Sequence, residues 1–352
     1  MEYIKLCDIA SINAGGTPSR DNNSYWNGQI PWLKISDIKG KYTDSCTEYI
    51  TEEGLNNSSA KYFKKNTILY TIFATIGETS ILKFDATTNQ AIAGIKLIND
   101  NFLVDYLYYY LKSLKKRVKH DSKGVAQNNI NLTYLKKLNV PNVNINIQKQ
   151  IVKDLTNIEE LILRSNKMQE NLDNIVKSQF IEMFSSYEKV KLCDLAEIIM
   201  GQSPNSKTYN DYSEGVPFFQ GKADFGDKYT IVRHWTNKPI KIARKNSVLL
   251  SVRAPVGPVN LANEDCCIGR GLCSINALEK KTNNEFLYNA LKIIEKELSL
   301  MGSGSTFKAI NKNDVQNLII PDAPYNKQIE YVNFISQIDK SKYFGGDGYG
   351  IC

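Results

Sequence analysis

Histidine is nearly absent from the chain: His120 and His234 are the only two in 352 residues. That leaves little scope for general-base chemistry by imidazole. Cysteine forms no framework. Its seven positions, Cys7, Cys46, Cys193, Cys266, Cys267, Cys273 and Cys352, include no C-x-x-C pair, so a disulfide scaffold is not expected. The one cluster, Cys266, Cys267 and Cys273, lacks a fourth ligand at zinc spacing. We read these thiols as small buried apolar groups. No apolar run reaches the ~18 residues of a membrane span. The start, Met1-Glu2-Tyr3-Ile4-Lys5, has no basic stretch followed by an apolar one, so neither a span nor a secretion signal is expected and the chain is placed in the cytoplasm.

Catalytic motifs are missing as well. Gly215-Val216-Pro217-Phe218-Phe219-Gln220-Gly221-Lys222-Ala223 has five residues between its glycines where a phosphate loop has four, and alanine where the magnesium-binding hydroxyl belongs. Pro321-Asp322 has no downstream acidic-x-lysine of a metal nuclease, and no Asn-Pro-Pro-aromatic or Asp-Pro-Pro-aromatic segment occurs. Gly345-Gly346-Asp347-Gly348 has no helix after it to cradle a cofactor. Recognition without catalysis is the reading these absences leave. The length suits about two domains, and 42% apolar content is enough for a core in each. Lysine and arginine total 44 against 37 acids, a net +7, with only seven arginines. Such hydrated point charge suits phosphate contact.

What is present is a duplication. Residues 5–18 read K-L-C-D-I-A-S-I-N-A-G-G-T-P and residues 191–204 read K-L-C-D-L-A-E-I-I-M-G-Q-S-P, an offset of 186. Ile30-Pro31-Trp32-Leu33 meets Val216-Pro217-Phe218-Phe219 at the same offset, and Asn66-Thr67-Ile68-Leu69 meets Asn246-Ser247-Val248-Leu249 at 180. Gly124, Ile130 and Pro141 match Gly304, Ile310 and Pro321 at 180, and Lys149-Gln150-Ile151 aligns with Lys327-Gln328-Ile329 at 178. A period this long means two copies of a whole domain. In each copy, β-branched runs (Thr67 to Ile76; Ser247 to Val252) predict strands, followed by a helix over 101–119 and again over 284–300.

From Ile147 to Phe184 there is no proline or glycine. Apolar residues recur there at steps of four and three: Ile151, Leu155, Ile158, Ile162, then Leu172, Val176 and Met183. This is a heptad seam, made imperfect by Ser165, Gln169 and Gln179, and it needs a partner surface. As one helix it would extend roughly 55 Å, which suits a spacer. Four glycines between 345 and 350 end the corresponding distal helix early. The seam from Leu172 to Met183 is therefore expected to be covered by another subunit.

Loop residues supply the candidate contacts. In the first copy Gly15-Gly16-Thr17-Pro18-Ser19-Arg20 offers flexible backbone, hydroxyls and a guanidinium, and Lys34, Ser36 and Lys39 follow the Ile30-Pro31-Trp32 strand. These suit base edges and phosphates. Lys112, Lys115, Lys116, Arg117, Lys119 and Lys123 form a run opposed by Asp121 alone, either a phosphate track or a solvated helix face. In the second copy the residues are Ser203, Lys207, Gln220 and Lys222, with Arg233 and Arg253 on other loops. The unlike loops imply unlike targets. Tyr108 to Tyr110 are read as packing along their helix.

Lys-Leu-x-Asp-(Ile/Leu)-Ala, then Gly-Gly-Thr-Pro-Ser, then Ile-Pro-Trp-Leu, then a proline-closed strand before Asn-Ile-Gln-Lys-Gln-Ile resembles the specificity subunit of type I restriction-modification systems, over residues 3–340 and in both copies. The resemblance implies an α+β chain with two similar mixed α/β target-recognition domains, separated by long coiled-coil-like helices. We expect domain 1 at 1–145, a spacer helix at 146–186, domain 2 at 187–323 and a shortened distal helix at 324–352. Each domain would read one half of a bipartite double-stranded DNA site. The helices would set the gap and dock two copies of an adenine methyltransferase subunit, joined by a restriction and translocation subunit. S-adenosylmethionine, ATP and Mg would belong to those partners, and this chain would have no cofactor, catalytic residue or metal. The alternative is a scaffold or decoy that binds methyltransferase subunits without reading DNA, which would be acidic if it mimicked DNA.

Overall fold

The computed structural model describes residues 2–121, 129–301 and 309–346. The chain divides into two compact units, residues 1–163 and 164–352. In the first, antiparallel strands in the order Ala10–Ala14, Ile92–Leu97, Ile68–Thr71 and Thr79–Leu82 form the main sheet, with Tyr42–Thr43 parallel at its edge. A second sheet runs Glu48–Ile50, Trp26–Leu33, Ala86–Thr88 and Tyr62–Phe63. Successive side chains of a strand point to opposite faces. Ile68 and Tyr70 therefore enter a core shared with Leu107, Leu111 and Leu135 of the helices, while Leu69 meets Leu33 and Phe63 of the second sheet. Burial on both faces explains the unbroken apolar reading of this segment. Of the expected strand only Ile68–Thr71 forms a ladder; beyond it Phe73 makes an isolated bridge to Asn129.

The second unit repeats the plan. Ala196–Met200, Leu272–Ala277, Val248–Ser251 and Val259–Leu261 form its main sheet, and Tyr209–Asn210, Trp235–Thr236, Val216–Phe219, Cys266–Ile268 and Ile242–Ala243 the other. Val248 and Leu250 face Phe286 and Leu287, while Leu249 packs on Phe219 and Ile268. Cys266, Cys267 and Cys273 are fully buried as expected, and burial pushes the thiols of Cys266 and Cys273 up to about 12. Each expected domain helix is two: Val104–Ser113 with Lys115–Asp121, and Asn284–Ile293 with Glu295–Met301. The turn tightens at Leu114, whose N–H bonds the Leu111 carbonyl at 3.2 Å, and the redirected second helix keeps Val118 fully buried. Tyr108 and Tyr109 pack along their helix, 1% and 7% exposed. No helix among the described residues is long and apolar enough to cross a membrane.

Residues Ile145–Phe184 form one helix of 40 residues. Its entry is held by Gln148, fully buried: Oε1 accepts from Leu103 N (2.9 Å), and Nε2 donates to the carbonyls of Asn101 (2.8 Å) and Val143 (2.9 Å). The distal helix, Tyr325–Gly346, opens the same way. Gln328 Oε1 accepts from Thr282 Oγ1 (2.8 Å), and its Nε2 donates to the carbonyls of Lys281 (3.0 Å) and Ala323 (2.8 Å). The two long helices thus correspond at an offset of 180, not the 178 that the Lys-Gln-Ile identity suggested, because only this register gives the buried amide its partners. Leucine at Gln328 should cost about 2–4 kcal/mol by stranding Thr282 and two carbonyls. Urea denaturation of the full chain checks this, and a loss below about 0.5 kcal/mol would mean water takes over the bonds.

The seam is divided between the units. Ile151 and Leu155 pack on the first unit's core and Val176 and Met183 on the second's, with Leu172 half-buried. Ile158 and Ile162 stay 51% and 55% exposed, contrary to a continuous seam. The stretch from Leu172 to Met183, expected to await another subunit, is partly covered by the chain itself. Tyr331 of the distal helix donates to the Val176 carbonyl at 3.1 Å. The strongest anchors are Phe180 and Phe184, outside the heptad positions, which pack with Phe286 and Tyr331. Aromatic bulk, not seam periodicity, decides where this helix is held.

Candidate nucleic-acid interface

In the second unit, the loops after Ala196–Met200, Val216–Phe219 and Val248–Ser251 converge with the turn before Leu272–Ala277. They line a cavity of ≈ 250 Å³ with Ser203, Gln220, Lys222, Ser251, Arg253 and Arg270. Ser203 Oγ accepts from Arg270 N (3.2 Å), and the buried Asp224 carboxylate takes Gln220 N (2.6 Å), fixing that turn. A Cβ on Gly271 would lie 2.2 Å from the Gln220 carbonyl, so only glycine lets the turns approach this closely. Among the described residues, Lys222, Arg253 and Arg270 form no ion pair. Three unneutralised cations around hydroxyls and an amide suit phosphate oxygens and base edges.

The first unit builds the equivalent place from equivalent loops. Thr17 bonds Gln90 where Ser203 meets Arg270. Lys34 N donates to Asp37 (2.9 Å) where Gln220 meets Asp224. Phe73 bridges Asn129 where Arg253 bridges Ala309. A Cβ on Gly16 would sit 2.3 Å from the Ser59 backbone, which accounts for the Gly-Gly pair. Next to Phe73, Ala74 has φ +57°, a left-handed strain of about 1–2 kcal/mol such as binding loops retain. The side chains differ: Lys34, Phe73 and Gln90 stand where the second unit has Gln220, Arg253 and Arg270, and Ile35 opens the turn that Lys222 opens in the second unit.

Around Thr17 the loop is braced. Trp32 Nε1 donates to the Gly16 carbonyl and Trp26 Nε1 to that of Ser19, both at 2.9 Å. Arg20 lies 3.6 Å over the Trp26 ring, and Trp26 meets Trp32 edge-on at 5.1 Å. Glu48 takes Arg20 on one carboxylate oxygen and Lys34 on the other, each at 2.6 Å. The Lys34 ammonium, then Arg20, hold the Glu48 carboxyl below the usual carboxylate range although partial burial opposes them.

Of the sequence candidates, Ser203, Gln220, Lys222 and Arg253 line one cavity, and Thr17, Arg20, Lys34 and Ser36 occupy the matching loops. Ser19, Lys39, Lys116 and Arg117 of the first unit are exposed, as are Lys207 and Arg233 of the second, which do not line its cavity. The basic run is no uniform track, because Lys112 pairs with Glu159 (2.6 Å) and Lys115 with Glu78 (2.5 Å). Lys123 lies outside the described residues. Sequence reasoning missed Arg270, Gln90 and Glu48. Arg270 had a signal, since glycines on both sides mark a tight turn presenting one guanidinium. Glu48 had none. Among the described residues no group of three or more His, Cys, Asp or Glu could hold a metal ion.

The family of the type I restriction-modification DNA specificity domain matches residues 1–173 and again 185–343. The chain is 38% identical, over 96% of its length and 86% of the relative's, to a protein of Methanocaldococcus jannaschii described as the type I restriction enzyme MjaX specificity subunit. It also superposes, with a TM-score of 0.63 and 26% identity over 97% of this chain and 90% of the other, on a chain solved for the complex assembly and conformational transition of the type I R-M system. A type I S subunit from M. genitalium, at 15% identity, TM-score 0.55 and covering 98% and 91% of the two chains, shares the fold. The two matched segments fall on the two copies found in the sequence, and the chain belongs to the type I restriction-modification specificity family as a non-catalytic DNA sequence-specificity subunit with two recognition domains.

Proposed function

We propose that each recognition domain reads one half of a bipartite DNA site through the loop cluster described above. The helix Ile145–Phe184 sets the gap between halves and, with the distal helix, docks two copies of an adenine methyltransferase subunit. A restriction and translocation subunit joins for cleavage. Residues 1–145 and 187–323 are the readers, 146–186 the spacer and 324–352 the distal segment, helical over Tyr325–Gly346. S-adenosylmethionine, ATP and Mg act in the partner subunits, in the cytoplasm. One observation carries the reading: the same loop cluster is built twice, on the same backbone plan, with different polar side chains. A shared scaffold with unlike tips is what two unlike half-sites require, and linking two modest readers raises their joint affinity through effective concentration. A decoy that only bound methyltransferases would need no cationic cluster.

The experiment is to express the chain with its methyltransferase partner and sequence the modified bases of the host. Bipartite adenine methylation should appear, and replacing residues 187–323 with another such domain should change one half-site only. A change in both halves, or methylation by the isolated chain, overturns the reading.

A further inference from the structure

The two loop clusters differ in one respect that the duplication does not explain. In the second, Lys222, Arg253 and Arg270 have no carboxylate partner among the described residues. In the first, both cations at the corresponding rim are held by one acid. Arg20 comes from the loop after Ala10–Ala14, Lys34 from the end of Trp26–Leu33, and Glu48 from the neighbouring strand Glu48–Ile50. Both Glu48 oxygens are engaged at 2.6 Å. Its side chain is 26% exposed, Lys34's 38% and Arg20's 54%, so the acid sits deepest and the cations reach outward from it. The guanidinium carbon lies 3.6 Å from the Trp26 ring centroid, with one nitrogen on Glu48, and the Trp26 indole N–H is itself tied to the loop that carries Arg20. The backbone of Lys34 is fixed by Asp37, which also accepts from Thr47 Oγ1 at 3.1 Å.

We propose that Glu48 is the specificity-determining positioning residue of the first recognition domain: it holds Arg20 and Lys34 in one geometry at the rim and withholds their charge from non-cognate phosphates. This rests on the DNA-reading function proposed above. A carboxylate between two cations leaves the group one net positive charge, so a passing phosphate gains less from it than from the three free cations of the second cluster. A guanidinium whose plane is fixed presents its donor fork in one direction, as bidentate recognition of a base edge requires, whereas a free side chain would reach whichever phosphate is nearest. The first domain is thus a braced reader and the second a cationic one.

The test uses the full chain and three variants, Glu48→Gln, Glu48→Asp and Arg20→Ala. Each is selected on a randomised duplex library and titrated with salt on one fixed random-sequence duplex, after its thermal unfolding is checked against the parent. Glu48→Gln frees both cations: binding to the random duplex should tighten, the salt slope should steepen by about one, and discrimination at one or two positions of a single half-site should fall about tenfold. Glu48→Asp keeps the charge but is too short to span both partners, so it should relax the same positions while leaving the salt slope unchanged. Discrimination unchanged in both Glu48 variants, with Arg20→Ala losing it, overturns the role of Glu48 and leaves the reading of DNA standing. An Arg20→Ala variant that selects the parental sequences overturns both for this domain.

Discussion

Alanine at both Arg253 and Arg270 should weaken binding of the full chain to its duplex about a hundredfold, from ~1–2 kcal/mol for each guanidinium contact. These side chains line one cavity with Lys222, and no carboxylate among the described residues offsets their charge. A salt titration divides the effect. If the arginines touch phosphates, the slope of log affinity against log salt should flatten by about two and weakening should be uniform across sequences. If they reach base edges, discrimination in one half-site is lost and the slope hardly moves. Lys116→Ala with Arg117→Ala is the control, on an exposed helix face of the first unit, and it should change affinity less than threefold, on the order expected of screened surface charge. Affinity and selectivity both untouched by the double substitution would remove this cavity from the interface.

Phe184→Ala should destabilise the second unit by about 3–5 kcal/mol, the range for emptying a large aromatic site in a packed core. Phe184 is fully buried, with ring centroids 4.9 Å from Phe180, 5.0 Å from Phe286 and 5.4 Å from Tyr331. These four rings come from the long helix, a domain helix and the distal helix, so no one neighbour can collapse into the space. Ile162→Ala on the same long helix is 55% exposed and should cost under about 0.5 kcal/mol. Urea denaturation followed by fluorescence measures both. Equal losses would mean that the helix is held along its middle and not by this cluster.

Polar contacts built around a lysine join each domain to its long helix, directly in the second copy and through Tyr109 in the first. In the first unit Lys41 pairs with Asp105 at 2.7 Å beside Tyr109, whose hydroxyl donates to Glu159 at 2.8 Å. In the second, Lys228 pairs with Glu285 at 3.1 Å and Asp339 at 3.0 Å. Burial alone would lower the Lys228 pKa, yet these carboxylates hold it above the ordinary lysine value. Glu159 and Asp339 correspond at the same offset of 180 as the two buried glutamines. The long helices are therefore docked on their domains by polar contacts that hydrophobic periodicity does not register.

Local repetition was legible without coordinates. The duplicated order of elements follows from identities repeated at offsets of 178 to 186, the strands from β-branched runs, and the proline- and glycine-free helix from an apolar spacing of three to four residues, which helix geometry itself imposes. The chain's descent from two copies of one domain, and hence two recognition sites, needed nothing more than its letters. Tertiary structure alone decided which loop tips meet and which charges cancel. Arg20 and Glu48 are 28 positions apart, and Ser203 and Arg270 are 67 apart. No local period couples such pairs; they meet because sheet register and glycine-permitted close approach bring their loops together. The seam misled for the same reason, since a heptad shows which face of a helix is apolar but not what lies against it, and that was settled by four aromatic rings and two buried glutamines.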